Sequence, residues 1–134
     1  MTGLVLKLTP NERVLINGAV IENGDRRSRI CILTPNANIL RLRDAIRPEE
    51  ANTPVRRICY IAQLMLSGDA KEEDATQQML RGIEQLSQAL RDDDSRTQLT
   101  IATEAIGRSD YYKALKALRT LLAREDRLMG LRPS

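Results

Sequence analysis

The chain has 134 residues, 42% apolar and 29% charged, with a formal charge of +3 and no histidine. That length suits one domain, or a domain with a helical extension, and its core needs no disulfide or metal staple. Without histidine there is no imidazole acid or base, no His-activated nucleophile and no His-ligated metal, and two cysteines cannot complete an all-cysteine zinc site.

Residues 4–47 read as β structure. Leu4 to Leu8 is a short apolar run, ended by Thr9-Pro10-Asn11. Val14 to Ile16 and Ala19 to Ile21 are rich in β-branched residues and flank Asn17-Gly18. Asn-Gly is a strong hairpin signal because both residues tolerate positive φ. The pair is either a two-residue hairpin or a bulge within one longer strand. A second pair, Asn23-Gly24, is followed by Asp25, Arg26 and Arg27 and reads as the clearer turn. Ser28 to Leu33 comes next, Ile30 and Ile32 alternating with Arg29 and Cys31. Thr34-Pro35-Asn36 turns the chain, and Ile39 to Leu42 follows. Short strands at this spacing predict a small antiparallel meander or barrel-like domain over 1–47.

From residue 48 the pattern becomes helical, which makes 48–134 a four-helix region and the whole chain α+β. Thr53 as N-cap and Pro54 at the first helical position start the first helix. Val55, Ile58, Cys59, Ala62, Met65 and Leu66 give it a 3–4 spacing, and Gly68 ends it. Ala75, Met79, Ile83, Leu86 and Leu90 form the second stripe, interrupted by Gly82. Asp69 is expected to cap that helix. Ser95 is expected to cap a third helix bearing Leu99, Ala102 and Ile106, closed by Gly107. Ser109 is expected to cap a last helix with Tyr111, Leu115, Leu118 and Leu122 on one face, and Leu121 and Leu128 beside it. Cys31 and Cys59, each between apolar neighbours, are expected to be buried free thiols in a reducing cytoplasm. No signal-like opening or bilayer-length apolar run occurs, so we expect a soluble cytoplasmic protein that does not enter membranes.

The charges are unevenly placed. Residues 26–57 carry eight arginines against three acids, a net +5, whereas residues 69–94 carry a net −5. Opposed blocks of this size suit polyanion binding, and they also suit self-association into a homo-oligomer. Arg26, Arg27 and Arg29 stand at or just after the second Asn-Gly, and arginine forks pair bidentately with phosphate. Arg41, Arg43 and Arg47 recur at period two and are expected on one strand face. Arg56 and Arg57 fall in a helix's first turn, where the dipole disfavours cations. They either serve binding or pair with Glu49 and Glu50. Tyr111 and Tyr112 point about a hundred degrees apart, so one is expected to pack in the core and the other to be exposed; both are candidate partner-binding residues, with base stacking the less favoured role. Phosphate-loop and dinucleotide fingerprints are absent, and no acidic pair stands out. We therefore expect no enzyme, no catalytic residue, no cofactor and no metal.

The motif Asn17-Gly18-Ala19-Val20, followed by Asn23-Gly24-Asp25-Arg26-Arg27, resembles the FlbT family of flagellar biosynthesis regulators. The likeness continues through Leu40-Arg41, Asp44, Pro48-Glu49, Thr53-Pro54 and Tyr111-Tyr112-Lys113-Ala114-Leu115, and it spans residues 4 to 128. It implies a post-transcriptional repressor that binds the 5′ untranslated region of flagellin mRNA, blocks translation and promotes decay of the message. It also implies FlaF and flagellin as protein partners. The candidate RNA contacts are Arg26, Arg27, Arg29, Arg41, Arg43, Arg47, Arg56 and Arg57, presented by turns at Asn17, Gly18, Asn23, Gly24 and Asp25. With so few aromatics, shape and backbone recognition are expected over base stacking. A protein-binding adaptor, gripping flagellin or FlaF through the helical half, is the alternative.

Overall fold

The computed structural model describes residues 3–130. The chain forms two units, one running to Ala45 and the other beginning at Ile46. Strands come first and helices after, as the α+β reading requires.

The first unit holds strands β1 (Leu4–Leu8), β2 (Arg13–Ile16), β3 (Ala19–Glu22), β4 (Ser28–Ile32) and β5 (Ile39–Arg41). They do not form a single meander or a closed barrel. β1 pairs with β4 in one antiparallel sheet, and β3-β2-β5 form another. Leu6, Leu8 and Val14 are buried, with Ile16, Ile30, Ile32 and Ile39 packed against them. Alternation along β4 turns Ile30 and Ile32 inward and Cys31 outward. Cys31 is therefore exposed, contrary to the expectation that both thiols are buried; only Cys59 is.

The two Asn-Gly pairs do different work. Asn17 and Gly18 have φ of 48° and 85° and join Ile16 to its partner Ala19, so this pair is a two-residue type I′ hairpin. Neither Asn23 nor Gly24 adopts positive φ. That stretch is not a hairpin tip but the crossing from the sheet of β3 to that of β4. Asn23 holds it: Nδ2 donates to the carbonyls of Thr9 (2.7 Å) and Arg26 (2.9 Å), Oδ1 accepts from Ser28 Oγ (2.6 Å), and its N–H donates to Glu12 O (2.8 Å). Beyond Arg41 the strand gives way to 3-10 turns at Leu42–Asp44 and Pro48–Glu50. Arg41, Arg43 and Arg47 therefore do not share a strand face.

The second unit contains, among the described residues, five α-helices: α1 (Pro54–Ser67), α2 (Glu72–Ala89), α3 (Asp93–Gly107), α4 (Tyr111–Arg119) and α5 (Leu122–Leu128). Thr53 caps α1 by accepting the N–H of Arg56, and Gly68 ends it at φ 80°. The other expected caps are displaced. Lys71 stands at the N-cap of α2, Asp92 accepts from Ser95 at α3, and Asp110 accepts from Lys113 at α4. Ser95 instead lies buried in the first turn of α3, and Gly107 is the last residue of that helix, as expected.

The expected last helix is divided. Thr120 and Leu121 donate i→i−3 bonds to Ala117 and Leu118 (3.2 and 3.0 Å), and Thr120 Oγ1 donates to Ala117 O (2.6 Å). This tightened turn advances the buried face from Leu115 and Leu118 to Leu121, and then to Glu125 and Asp126. Leu122 is left half-buried and Leu128 exposed. α1 packs against α2 and α4, and α3 against α4. Gly82 permits the first of these approaches, since a Cβ there would lie 2.6 Å from Ile58 Cδ1. No described helix is long and apolar enough to cross a membrane.

Candidate nucleic-acid interface

Arg26, Arg27 and Arg29 are exposed, and among the described residues none of them makes an ion pair. A cleft of about 460 Å³ opens beside two of them, lined by Lys7, Leu8, Thr9, Arg27, Ser28 and Arg29. Lys7 was not among the expected binding residues. Its place between Leu6 and Leu8 marks it as outward-facing, but only the strand register sets it opposite Arg29.

Arg41 is committed inside the fold. Its Nε and Nη2 each donate to one oxygen of the buried Glu12 carboxylate at 2.7 Å, and Nη2 also donates to Lys7 O at 2.7 Å. Glu12 further accepts from Thr9 N (3.0 Å) and Thr9 Oγ1 (3.3 Å). These bonds, Arg41's first, hold its carboxyl well below the usual range, at about 2. Arg43 is half-exposed, 3.8 Å from Glu12 and 4.0 Å from Asp44.

The remaining arginines lie in the helical unit. Arg47 and Arg57 are exposed. Arg56 pairs, as one of its two readings required, but with α5 in place of Glu49 and Glu50. Its Nη2 donates to Asp126 Oδ2 (3.1 Å), and Nη1 sits 2.8 Å from Oδ1 and 3.7 Å from Glu125. Glu125 also accepts from the N–H of Val55 (2.7 Å) and from the Thr53 hydroxyl. Two buried carboxylates from α5 thus satisfy the first turn of α1, a pattern that an apolar-stripe reading passes over. Arg124 adds a second clamp, reaching Asp92, Asp94 (3.1 Å) and Ser95 (2.8 Å) at the start of α3.

Tyr111 is also tied within the fold. Its hydroxyl donates to Glu72 Oε1 (2.9 Å) and meets Thr76 Oγ1 at 3.1 Å, and Ser109 Oγ donates to the same Glu72 oxygen (2.9 Å). The hydroxyls of Ser109 and Tyr111 lower the Glu72 pKa. Tyr112 is half-buried. Among the described residues, no group of three or more Cys, Asp or Glu side chains is placed to hold a metal ion.

The family described as "Flagellar protein FlbT" matches residues 4–129. The chain belongs to the FlbT family. It is 32% identical over 127 residues to the "Probable flagellum biosynthesis repressor protein FlbT" of a Caulobacter species, covering 95% of this chain and 96% of that one. It is 33% identical to the Mesorhizobium japonicum protein of the same name, covering 95% and 85% of the two chains. It is 35% identical over 128 residues to the "Probable flagellum biosynthesis repressor protein FlbT 1" of Bradyrhizobium diazoefficiens, with the same coverage. No solved structure matches the chain.

Proposed function

We propose that this FlbT-family protein is a cytoplasmic post-transcriptional repressor. It binds the 5′ untranslated region of flagellin mRNA, blocks its translation and promotes its decay. Relatives over nearly the full chain are named as flagellum biosynthesis repressors, which supports the regulatory role. One structural observation supports nucleic acid as the ligand: Arg26, Arg27 and Arg29 are grouped, exposed and unanswered, whereas Arg41 and Arg56 are each closed by a buried carboxylate. Arginines with no acidic partner are free to exchange condensed counterions for phosphate contacts. Arg43, Arg47 and Arg57 supply further exposed charge. Occupation of the leader excludes the ribosome, and the stalled message becomes open to decay.

The test is titration of a flagellin leader transcript with nuclease-treated, purified protein. Saturable binding that weakens with salt is expected. Absence of leader binding by protein that still captures purified flagellin or FlaF would overturn the reading in favour of the adaptor alternative. That alternative draws on an open groove of about 610 Å³ between α2 and α3, whose lining includes Leu80, Ile83 and Leu99 together with Glu84 and Glu104. The opposed charge blocks further lead us to propose a homo-oligomer. Light scattering across a salt series is expected to show dissociation as salt rises, and a monomer at every salt concentration would contradict this.

A further inference from the structure

We infer that Lys7 and Arg29, with Arg27 beside them, form a phosphate clamp for the backbone of a nucleotide strand. The clamp rests on the RNA-binding reading and gives it a definite site. Lys7 and Arg29 are cross-strand partners in the β1–β4 ladder. The Lys7 carbonyl accepts from Arg41, so it points away from β4. The Lys7–Arg29 rung is therefore non-hydrogen-bonded, the closer kind, with Cα atoms about 4.5 Å apart.

Two cations directly opposite each other oppose strand pairing. The same unit matches charges at its other fully charged rung, where Arg13 faces Glu22 and donates to it at 2.7 Å. Among the described residues, none forms an ion pair with Lys7 or Arg29. Glu12 is closed by Arg41, and Asp25 makes no ion pair among the described residues. The Ser28 and Thr9 hydroxyls already donate, to Asn23 and Glu12. The cleft therefore presents cations without a counter-charge, and a bound anion completes it.

The shape suits a strand backbone better than an isolated ion. Arg27, two residues before Arg29, lines the same cleft and sets a second arginine fork beside the pair. The next rung on the same outer face is Val5 opposite Cys31, both exposed. It extends the site with an apolar step beside the charged pair, on the side away from Arg27. Arg forks and the Lys point charge divide the phosphate oxygens between them.

Cys31 makes the site directly observable. A thiol reagent is applied to wild-type protein alone, with flagellin leader RNA and with polyphosphate; buried Cys59 serves as the unreactive control. Leader RNA is expected to slow Cys31 modification. Arg29→Glu is expected to weaken leader binding about tenfold and to remove the protection. It should melt at or above the wild-type temperature, because Lys7 gains a carboxylate partner. If that variant does not fold, Lys7→Gln carries the same comparison. Leader binding with no Cys31 protection, and undiminished in the variant, would overturn the clamp while leaving RNA binding intact. Protection by polyphosphate without leader binding would overturn the RNA reading and retain an anion site. Protection by neither, with no leader binding, overturns both. A folded Arg29→Glu melting below wild type would contradict the like-charge argument.

Discussion

Arg41 lies side-on against Glu12, Nε on one carboxylate oxygen and Nη2 on the other, both at 2.7 Å. The same Nη2 reaches the Lys7 carbonyl. One side chain of β5 thereby joins the two sheets of the first unit and fixes the turn between β1 and β2. Glu12 is only 6% exposed, so breaking the pair leaves a buried charge without its partner.

Removing that partner is costly. Arg41→Met is expected to destabilise the first unit by about 2 kcal/mol, less than a fully buried pair because Arg41 keeps some contact with solvent. The pH dependence follows from Glu12. Its carboxyl is lowered from 4.5 to about 2, so its contribution is complete above pH 4.5 and is lost as pH falls toward 2. Urea midpoints of wild type and Glu12→Gln at pH 7, 4 and 2.5 check this, and the gap between the two proteins should narrow as pH falls.

Glu125 supports the helical unit in a comparable way. Glu125→Ala leaves the Val55 N–H and the Thr53 hydroxyl without their acceptor and Arg56 with one carboxylate fewer. A loss of about 3 kcal/mol is expected, read as a lower thermal midpoint of the helical unit. Substitution at exposed Leu128 should change little.

Gly82→Ala tests close packing against helix propensity. Alanine favours the helix by about 1 kcal/mol, but its methyl would stand 2.6 Å from Ile58 Cδ1. Net destabilisation of about 1 kcal/mol is expected from overpacking. Ile58 Cγ1 would be as close, at 2.7 Å, so Gly82→Ala/Ile58→Ala, which removes both atoms, should cost less than the sum of the two single changes, measured by chemical denaturation.

Thiol titration separates the two cysteines. Burial pushes the Cys59 thiol up to about 12, whereas Cys31 lies exposed on the outer face of β4. One fast-reacting thiol per chain is expected in the native protein, with a second appearing only on unfolding.

Features fixed by near neighbours were legible in the sequence. Asn17-Gly18 makes its hairpin with its own φ angles, Thr53-Pro54 starts α1, and Gly68 stops it. The buried stripes of α2 and α3 follow the apolar spacing at every named position. Features fixed by distant partners were not legible. Asn23 looked like a second hairpin, yet its bonds run to Thr9, 14 residues away. Lys7 became a candidate only through Arg29, 22 residues along the chain. Thr120 bends the last helix through a local side-chain bond, and the face it turns inward carries Glu125 and Asp126, which an apolar count cannot anticipate. Arginine spacing identified a basic segment but could not separate Arg41 and Arg56, held by carboxylates, from Arg27 and Arg29, which are not.

The most direct test of the central claim is the salt dependence of flagellin leader binding by wild type and Arg26→Ala/Arg27→Ala. Each phosphate contact contributes about one to the logarithmic salt slope. The account predicts weaker binding and a slope shallower by about two in the double variant. Unchanged affinity with an unchanged slope would contradict it.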